Sequence, residues 1–221
     1  MIDLLKNKFH NLISDKKFSE ILTGSAWALS ARVLATGMGL ISSIIIARFY
    51  GAKVVGIVAV MNSFLLLATI FTVLGTGTSI LRLIPEHLVK YSPTSAFRVY
   101  RKTQFMVIIV SLITGSFFFL SSGMIAEKIF SKPQLSIYFG LAAVFVVFKS
   151  LMLLNTQAVR GLRLIRTFAF MQALPSLSDL VLLAVLTAFF FNRDNPIYTS
   201  LASLAVTGIQ HEKLIILGAS R

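Results

Sequence analysis

The chain contains no cysteine and few acidic residues. Without cysteine it has no disulfide bond, no thiolate metal site and no cysteine nucleophile. Eight Asp and Glu residues stand against 21 Lys and Arg residues, which gives a formal net charge of +13. The three histidines, His10, His87 and His211, are scattered along the sequence, so we expect no metal site and no bound cofactor.

Charged residues as a whole are also scarce. Charged residues make up 13% of the 221 residues, whereas hydrophobic residues make up 56% and the mean hydropathy is +0.84. This charged fraction is about half of that in a typical soluble domain. A globule of this size has too little interior to hide so much apolar surface from water. The composition therefore predicts an all-α integral membrane protein.

Long apolar runs predict about six transmembrane helices, because a spanning helix needs ~20 apolar residues. The five full spans are predicted at residues 25–47, 54–80, 105–126, 135–158 and 168–191, and a weaker sixth begins at residue 197. Gln210–Lys213 interrupts the sixth run, so we expect either a short, irregular helix or a chain that stops where a longer protein continues. Residues 1–24 are expected to be a basic cytoplasmic segment, and residues 25–221 one transmembrane domain. The first apolar run is too long for a signal peptide.

The basic residues between the spans predict the orientation. Twelve Lys and Arg residues lie in the N-terminal segment and in the second and fourth gaps, against five in the other three gaps. Because positive residues favour the cytoplasmic side, we expect the N-terminus inside and odd-numbered spans running outward. The basic gaps are expected to contact anionic phospholipids and not nucleic acid. The second gap, with Pro85 and Pro93, is expected to form an amphipathic segment on the inner membrane surface.

Three ionisable residues fall inside predicted spans: Arg32, Lys149 and Asp179. A charge inside a bilayer is costly, so such residues usually face a partner or a wet cavity. Counted from the predicted inner ends of their helices, the three lie at similar depths of ~10, ~14 and ~16 Å. We therefore expect them to converge on one cavity, whose excess of positive charge favours an anionic ligand. The alternative is structural: the two cations snorkel to the inner interface, and Asp179 pairs with one of them.

Uncharged polar residues at helical spacing accompany these charges. Asn62 lies in the second predicted span, and Gln172 and Ser176 lie in the fifth. We expect the three to line the same cavity. Pro175 is expected to break the fifth helix and to free a carbonyl group near Asp179. The alternative is that the polar side chains join helices by hydrogen bonds and line no cavity.

Small residues recur along the first span. Ala35, Gly39, Ser43 and Ala47 are spaced four residues apart and so share one side of a helix. We expect this stripe to be a seam where another helix packs closely, and not a binding site.

Residues that could support catalysis are few. Membrane enzymes that act on prenyl phosphates usually need paired carboxylates to hold Mg²⁺, whereas Asp179 is the one acidic residue inside a full predicted span. Gly75 and Gly77 lack the lysine and the strand–helix setting of a phosphate-binding loop. The sequence therefore predicts no catalytic site, and the chain is not expected to be an enzyme.

Several short motifs follow one another in a definite order along the chain. They are Arg32 in the first span, IARFYG with Arg48 and Gly51, Gly56 shortly after it, Gly75 and Gly77, Arg82, and VRGLRLIRTFAF at residues 159–170. In their order and spacing they resemble the polysaccharide-biosynthesis flippases. These proteins are the O-antigen and teichoic-acid exporters of the multidrug/oligosaccharidyl-lipid/polysaccharide superfamily. The strongest part of the resemblance covers residues 25–85.

The resemblance implies a function. Such proteins move an undecaprenyl-diphosphate-linked oligosaccharide across the cytoplasmic membrane by alternating access between two six-helix lobes. This chain matches the N-terminal lobe. The resemblance implies that Arg32 and Lys149 hold the diphosphate or acidic sugars. Asp179 would balance the charge of the empty cavity or carry a coupling proton.

A lone lobe would expose its polar face to lipid, so the resemblance also implies a second lobe. The chain is then a fragment of a longer protein that lacks its C-terminal half, a half-transporter that forms a homodimer, or a nonfunctional remnant. Two other functions stay open. One is a multidrug or metabolite exporter of the same superfamily, and the other is a membrane scaffold that transports nothing.

Overall fold

The computed structural model describes residues 16–73, 75–189, 191–192 and 194–219 of the chain, with side chains from residue 22 to residue 211 of these ranges. The described residues form seven α-helices and no strand, which confirms the predicted all-α class. The helices are α1 (Lys16–Tyr50), α2 (Ala52–Val73), α3 (Thr76–Lys90), α4 (Pro93–Met124), α5 (Ser136–Gly161), α6 (Ile165–Phe189) and α7 (Asn195–Ala219). A π-helical turn, Ile125–Ile129, and a 3₁₀ turn, Pro133–Leu135, join α4 to α5.

Five segments of the described chain are long and apolar enough to cross a membrane. They are Leu22–Tyr50, Ala52–Val73, Pro93–Ile129, Pro133–Gly161 and Ile165–Phe189, and they correspond to the five full spans predicted from the sequence. The sixth long helix, α7, has 25 residues and passes unbroken through residues 210–213. The expectation of a short, irregular sixth helix is therefore wrong. A helix satisfies its main-chain polar groups internally, whatever the polarity of its side chains.

The C-terminal end of the second span differs from the prediction. The sequence predicts one helix over residues 54–80, but α2 ends at Val73 and α3 begins at Thr76. Between them Gly75 has a φ of +79°, a left-handed conformation that glycine adopts without steric cost. The residues from 76 to 80 carry no charge, so the sequence does not mark the end of the span there, but they belong to α3.

The second gap is helical almost throughout. α3 buries Ile80 and Ile84 on one side and exposes basic residues on the other, as expected of an amphipathic segment. Its Lys90 donates a hydrogen bond to Glu86 at 2.8 Å, and this bond, with the lysine's charge, holds the pKa of Glu86 below its usual value. Ser92 then caps α4, because its hydroxyl accepts a hydrogen bond from the main-chain N–H of Ser95.

α5 is the central helix of the bundle and packs against α2, α3, α4 and α7. Two hydrogen bonds join it to its neighbours: Ser150 contacts Thr72 of α2 at 2.5 Å, and Asn155 accepts a bond from Tyr100 of α4 at 2.9 Å. α4 comes closest at Gly115, where a Cβ atom would lie 2.9 Å from the carbonyl oxygen of Ala143. Small and hydroxyl-bearing residues thus let the helices approach, as is usual in membrane bundles.

α1 and α6 form a parallel pair. Near their starts, a Cβ atom on Gly24 would lie 2.5 Å from Cδ1 of Ile165. At their other ends, the hydroxyl groups of Tyr50 and Thr187 are hydrogen-bonded at 2.8 Å. The first and fifth predicted spans therefore run in the same direction, as the predicted alternation of the spans requires.

The stripe of small residues on α1 does not pack as expected. A Cβ atom on Gly39 would meet no atom within 4 Å, and Ser43 and Ala47 are exposed. α1 instead turns Ile46 and Tyr50 towards Leu183 of α6. Within the described chain, the seam of Ala35, Gly39, Ser43 and Ala47 is therefore not an interface between helices. Residue spacing places these residues on one side of α1 without fixing which side meets a neighbour.

The close approach at Gly115 gives a test of the packing. Gly115→Ala should lower the free energy of unfolding by about 1–3 kcal/mol, because the added methyl group pushes against the α5 main chain. Gly123→Ala, in the same helix, places its Cβ at an ordinary 3.7 Å from Ser136 and should change stability by less than about 0.5 kcal/mol. Thermal unfolding in detergent measures both. Equal melting temperatures for the two variants would contradict the packing of α4 on α5.

Candidate functional site

The three charged residues predicted to lie inside the membrane are not paired with one another. No ion pair within 4.0 Å joins Asp179 to Arg32 or Lys149, and the ion pair found in the described chain is the one between Lys90 and Glu86. The structure therefore lacks the salt bridge that the structural alternative requires. The same described residues contain no cluster of three His, Asp or Glu side chains that could hold a metal ion.

Asp179 lies against α1 and further along it than Arg32. Its carboxyl group is beside the hydroxyl group of Ser42, which is buried and makes no hydrogen bond of standard geometry. Ser42 follows Arg32 by ten residues, or ~15 Å along the helix axis. The expectation that Arg32 and Asp179 lie at one depth is therefore wrong. It fails because α6 begins at Ile165, three residues before the predicted start of the fifth span.

Arg32 lies level with Gln172 instead. The contact between Gly24 and Ile165 brings α1 and α6 into register. Arg32 follows Gly24 by eight residues, and Gln172 follows Ile165 by seven. Since parallel α-helices rise by the same ~1.5 Å per residue, the two polar side chains leave their helices at nearly the same level. Arg32 is exposed and Gln172 is half-buried.

His211 lies at this level too, although no sequence pattern predicts a role for it. The side chain is fully buried, and its ring lies beside the carbonyl oxygens of Met152 in α5 and Met171 in α6. Neither ring nitrogen makes a hydrogen bond of standard geometry. Met171 directly precedes Gln172, and Met152 follows Lys149 by three residues. The imidazole therefore shows that Met152 of α5, Met171 of α6 and His211 of α7 lie at about the same depth in the bundle.

Proline explains why a carbonyl group is available to His211. Pro175 lies inside α6, which runs unbroken to Phe189, so the expected helix break is wrong. Proline has no N–H, however, and so gives no hydrogen bond to the residue four positions earlier, Met171. The carbonyl group that Pro175 frees is therefore beside His211 and not beside Asp179. This proline is the sequence signal from which the buried histidine could have been found.

Arg32, Lys149, Gln172 and His211 together form what we call the inner polar layer, a name that follows the orientation predicted from the sequence. Lys149 is half-buried and has no hydrogen bond or ion pair with any described residue. The next residue, Ser150, is bonded to Thr72, which lies one residue before the end of α2. The layer therefore lies towards the end of the bundle where α2 ends and α1 and α6 begin. It offers positive charge and hydrogen-bond donors without a carboxylate.

The remaining predicted site residues lie outside this layer. Ser176 is half-buried, one turn before Asp179 on α6. Asn62 is exposed on α2, and its side-chain oxygen lies 3.5 Å from the hydroxyl group of Ser200 in α7. No ion pair or hydrogen bond within the described residues joins either one to Arg32 or Lys149.

The side of α1 that carries Arg32 is open. The hydroxyl groups of Thr36 and Ser43 each donate to a main-chain carbonyl group one turn earlier, at 2.9 Å, and so need no other partner. Arg32, Thr36 and Ser43 are all exposed. α1 therefore has a polar side that no other described part of the chain covers.

A known protein family matches this chain. The sequence profile of the family described as polysaccharide biosynthesis protein matches residues 21–216. The chain belongs to this family. The resemblance recognised from residues 25–85 is thereby confirmed, and the match covers most of the chain. Together with the five long apolar helices, it identifies a multi-pass membrane protein of polysaccharide biosynthesis. Neither the curated proteins nor the solved structures gave a match.

The buried histidine gives a test of the layer. His211→Ala should lower the free energy of unfolding by about 1–3 kcal/mol, because it leaves a void at a fully buried position between α5, α6 and α7. His87→Ala is the control, since that ring is only half-buried and bonded to Ser95 at 2.9 Å. The His87→Ala variant should lose less than about 1 kcal/mol of its free energy of unfolding. Thermal unfolding in detergent separates the two, and an equal loss in both variants would contradict the placement of His211.

Proposed function

We propose that this chain forms one lobe of a transporter that moves an undecaprenyl-diphosphate-linked oligosaccharide across the cytoplasmic membrane for surface polysaccharide biosynthesis. The observation that carries the proposal is the inner polar layer. There Arg32 and Lys149 lie at similar levels on different helices without a carboxylate partner. Membership of the polysaccharide biosynthesis family supplies the biological process.

The chemistry of the layer suits a diphosphate. The guanidinium group of Arg32 can donate two parallel hydrogen bonds to phosphate oxygens, and the Lys149 ammonium adds a point charge. At an effective dielectric constant near 20, a pair of opposite charges 4 Å apart gains about 4 kcal/mol. The half-buried Gln172 adds a side-chain amide that can bond to sugar hydroxyls. We propose transport and not catalysis, because the layer lacks the carboxylate pair that would hold Mg²⁺.

The orientation follows from the charges between the helices. We place the N-terminus in the cytoplasm, so that α1 and α6 run outward and the inner polar layer lies nearer the cytoplasmic leaflet, where the substrate is loaded. The basic residues of α3 and of the start of α4 then lie at the anionic inner surface. Asp179 lies ~10–15 Å further outward than Arg32. It is too far away to balance the charge of the layer, so in this proposal it carries a coupling proton.

We further propose a second lobe that covers the polar side of α1. Exposed polar groups such as Arg32 are costly against lipid. The open stripe of small residues, with Gly39 at its centre, offers a surface that another helix can approach closely. Either a further part of a longer polypeptide or a second copy of this chain would meet this need.

Neutralising the layer tests the function. In cells that depend on this protein for surface polysaccharide, Arg32→Gln with Lys149→Gln should lower export at least tenfold, because two charge-assisted contacts to the substrate are lost. Lipid-linked oligosaccharide should then accumulate at the cytoplasmic leaflet. Labelling of surface glycan and mass spectrometry of extracted lipids measure the two quantities. Lys102→Gln with Lys128→Gln, a pair of exposed residues outside the layer, removes the same charge and should leave export unchanged.

Two outcomes would contradict the proposal. Export that survives neutralisation of Arg32 and Lys149 at an unchanged protein level would exclude the layer as the substrate site. Extrusion of cationic dyes by the unaltered chain, without any effect on lipid-linked oligosaccharide, would establish the drug-exporter alternative. The conservative pair Arg32→Lys and Lys149→Arg should keep part of the export, which separates loss of charge from loss of folding.

A further inference from the structure

A cavity lies at the opposite end of the bundle from the inner polar layer. It has a volume of about 480 Å³ and is formed where three segments meet: the start of α2, the turns between α4 and α5, and the start of α7. These segments correspond to the first, third and fifth gaps of the sequence, which the proposed orientation places outside. Three connections that are distant in the sequence therefore line one space.

The polar lining of the cavity is mainly cationic. Lys53 and Lys132 contribute ammonium groups, and neither has an ion-pair partner within the described chain. Asp194 is the acidic lining residue, and its Oδ1 accepts a hydrogen bond from the hydroxyl group of Tyr138 at 3.0 Å. Asp194 keeps its negative charge, and with two lysines against one carboxylate the side chains of the lining carry a net charge of +1.

The cavity can also hold more than a simple ion. Gln134 adds a side-chain amide, and Ile57, Val60 and Phe130 give the cavity an apolar part. Gly56 lies in the wall, and a Cβ atom there would meet no atom within 4 Å, so the space beside it is empty. The volume exceeds the ~30 Å³ that one water molecule occupies by more than tenfold. Cationic groups beside apolar surface fit an amphiphile with an anionic head.

We infer that this cavity is an outer binding site for a phosphate group carried by a lipid, with Lys53 and Lys132 as its direct ligands. Phosphate is held well by lysine ammonium groups, which act as point charges without a fixed geometry. The outward position of the site depends on the proposed function, but phosphate binding itself does not. In the transport cycle the site would receive the anionic head after it has left the inner polar layer. A resident anionic phospholipid would use the same contacts.

Lipid binding to the purified full-length chain tests the site. The probe is a short-chain phosphatidylglycerol added in neutral detergent, with phosphatidylcholine of the same chain length as the zwitterionic control, and native mass spectrometry counts the bound lipids. Lys53→Gln with Lys132→Gln should weaken binding of phosphatidylglycerol about tenfold or more, since each lysine contributes to holding an anionic head. Arg48→Gln with Lys128→Gln removes the same charge from exposed residues that do not line the cavity, and this variant should bind as the unaltered chain does.

A second variant tests the cavity independently of its charge. Gly56→Leu keeps both lysines but fills the space beside them, and should also weaken binding of phosphatidylglycerol. Inorganic phosphate as a competitor distinguishes the source of the anion. Competition only at far higher concentration than the lipid assigns the site to a lipid head, whereas equal competition assigns it to free phosphate. Unchanged lipid binding in the Lys53/Lys132 double variant, or equal binding of phosphatidylcholine, would overturn the inference.

The lipid-binding experiment tests the cavity independently of the proposed transport function. Lipid binding that depends on Lys53 and Lys132 in a chain without export activity would refute the transport proposal and leave the cavity as a phosphate site. If export depends on Arg32 and Lys149 but lipid binding does not depend on Lys53 and Lys132, the transport proposal is supported and the outer phosphate site is refuted.

Discussion

Inside a bilayer, a charge without a partner is the costliest group that a helix can carry, and this constraint organises the molecule. Five apolar helices satisfy their main-chain groups internally; α2 and α4 pack against α5 through small and hydroxyl-bearing residues, and α1 packs against α6. Against this apolar background, Arg32 and Lys149 have no carboxylate beside them. A protein can keep such charges where a ligand, a wet cavity, a covering lobe or the polar membrane surface satisfies them. The proposed diphosphate substrate and the proposed second lobe both answer that need.

Most of the fold could be predicted from the sequence, because the length of an apolar run reports directly on the thickness of the membrane. Local backbone geometry could not be predicted in the same way. The uncharged stretch of the second span continues past Gly75 to Leu81, but the chain turns at Gly75, which has a positive φ, and a new helix starts there. The polar run at residues 210–213 predicts an irregular end, yet α7 continues through it. A hydropathy profile averages over many residues, whereas one or two residues decide whether a helix ends or continues.

The candidate site was predictable in part. Arg32 and Lys149 stand out from their surroundings by charge alone, and the structure places them at similar levels. Asp179 does not share this level, because a shift of three residues at the start of α6 moves its depth by ~5 Å. His211 lies in a polar stretch whose burial depends on contacts with α5 and α6. Its position follows from the register of three helices, which one sequence does not specify, although Pro175 marks the carbonyl group beside it.

The central claim is that the inner polar layer carries a lipid diphosphate from one leaflet to the other. The most direct measurement is the movement of a fluorescent undecaprenyl-diphosphate oligosaccharide in liposomes that contain the protein purified from its own membrane, with any associated lobe retained. A quencher added outside reports the labelled head in the outer leaflet. The account predicts that the head changes leaflet faster than in protein-free liposomes, and that neutralising Arg32 and Lys149 abolishes the difference. Equal rates with and without the unaltered protein would contradict it.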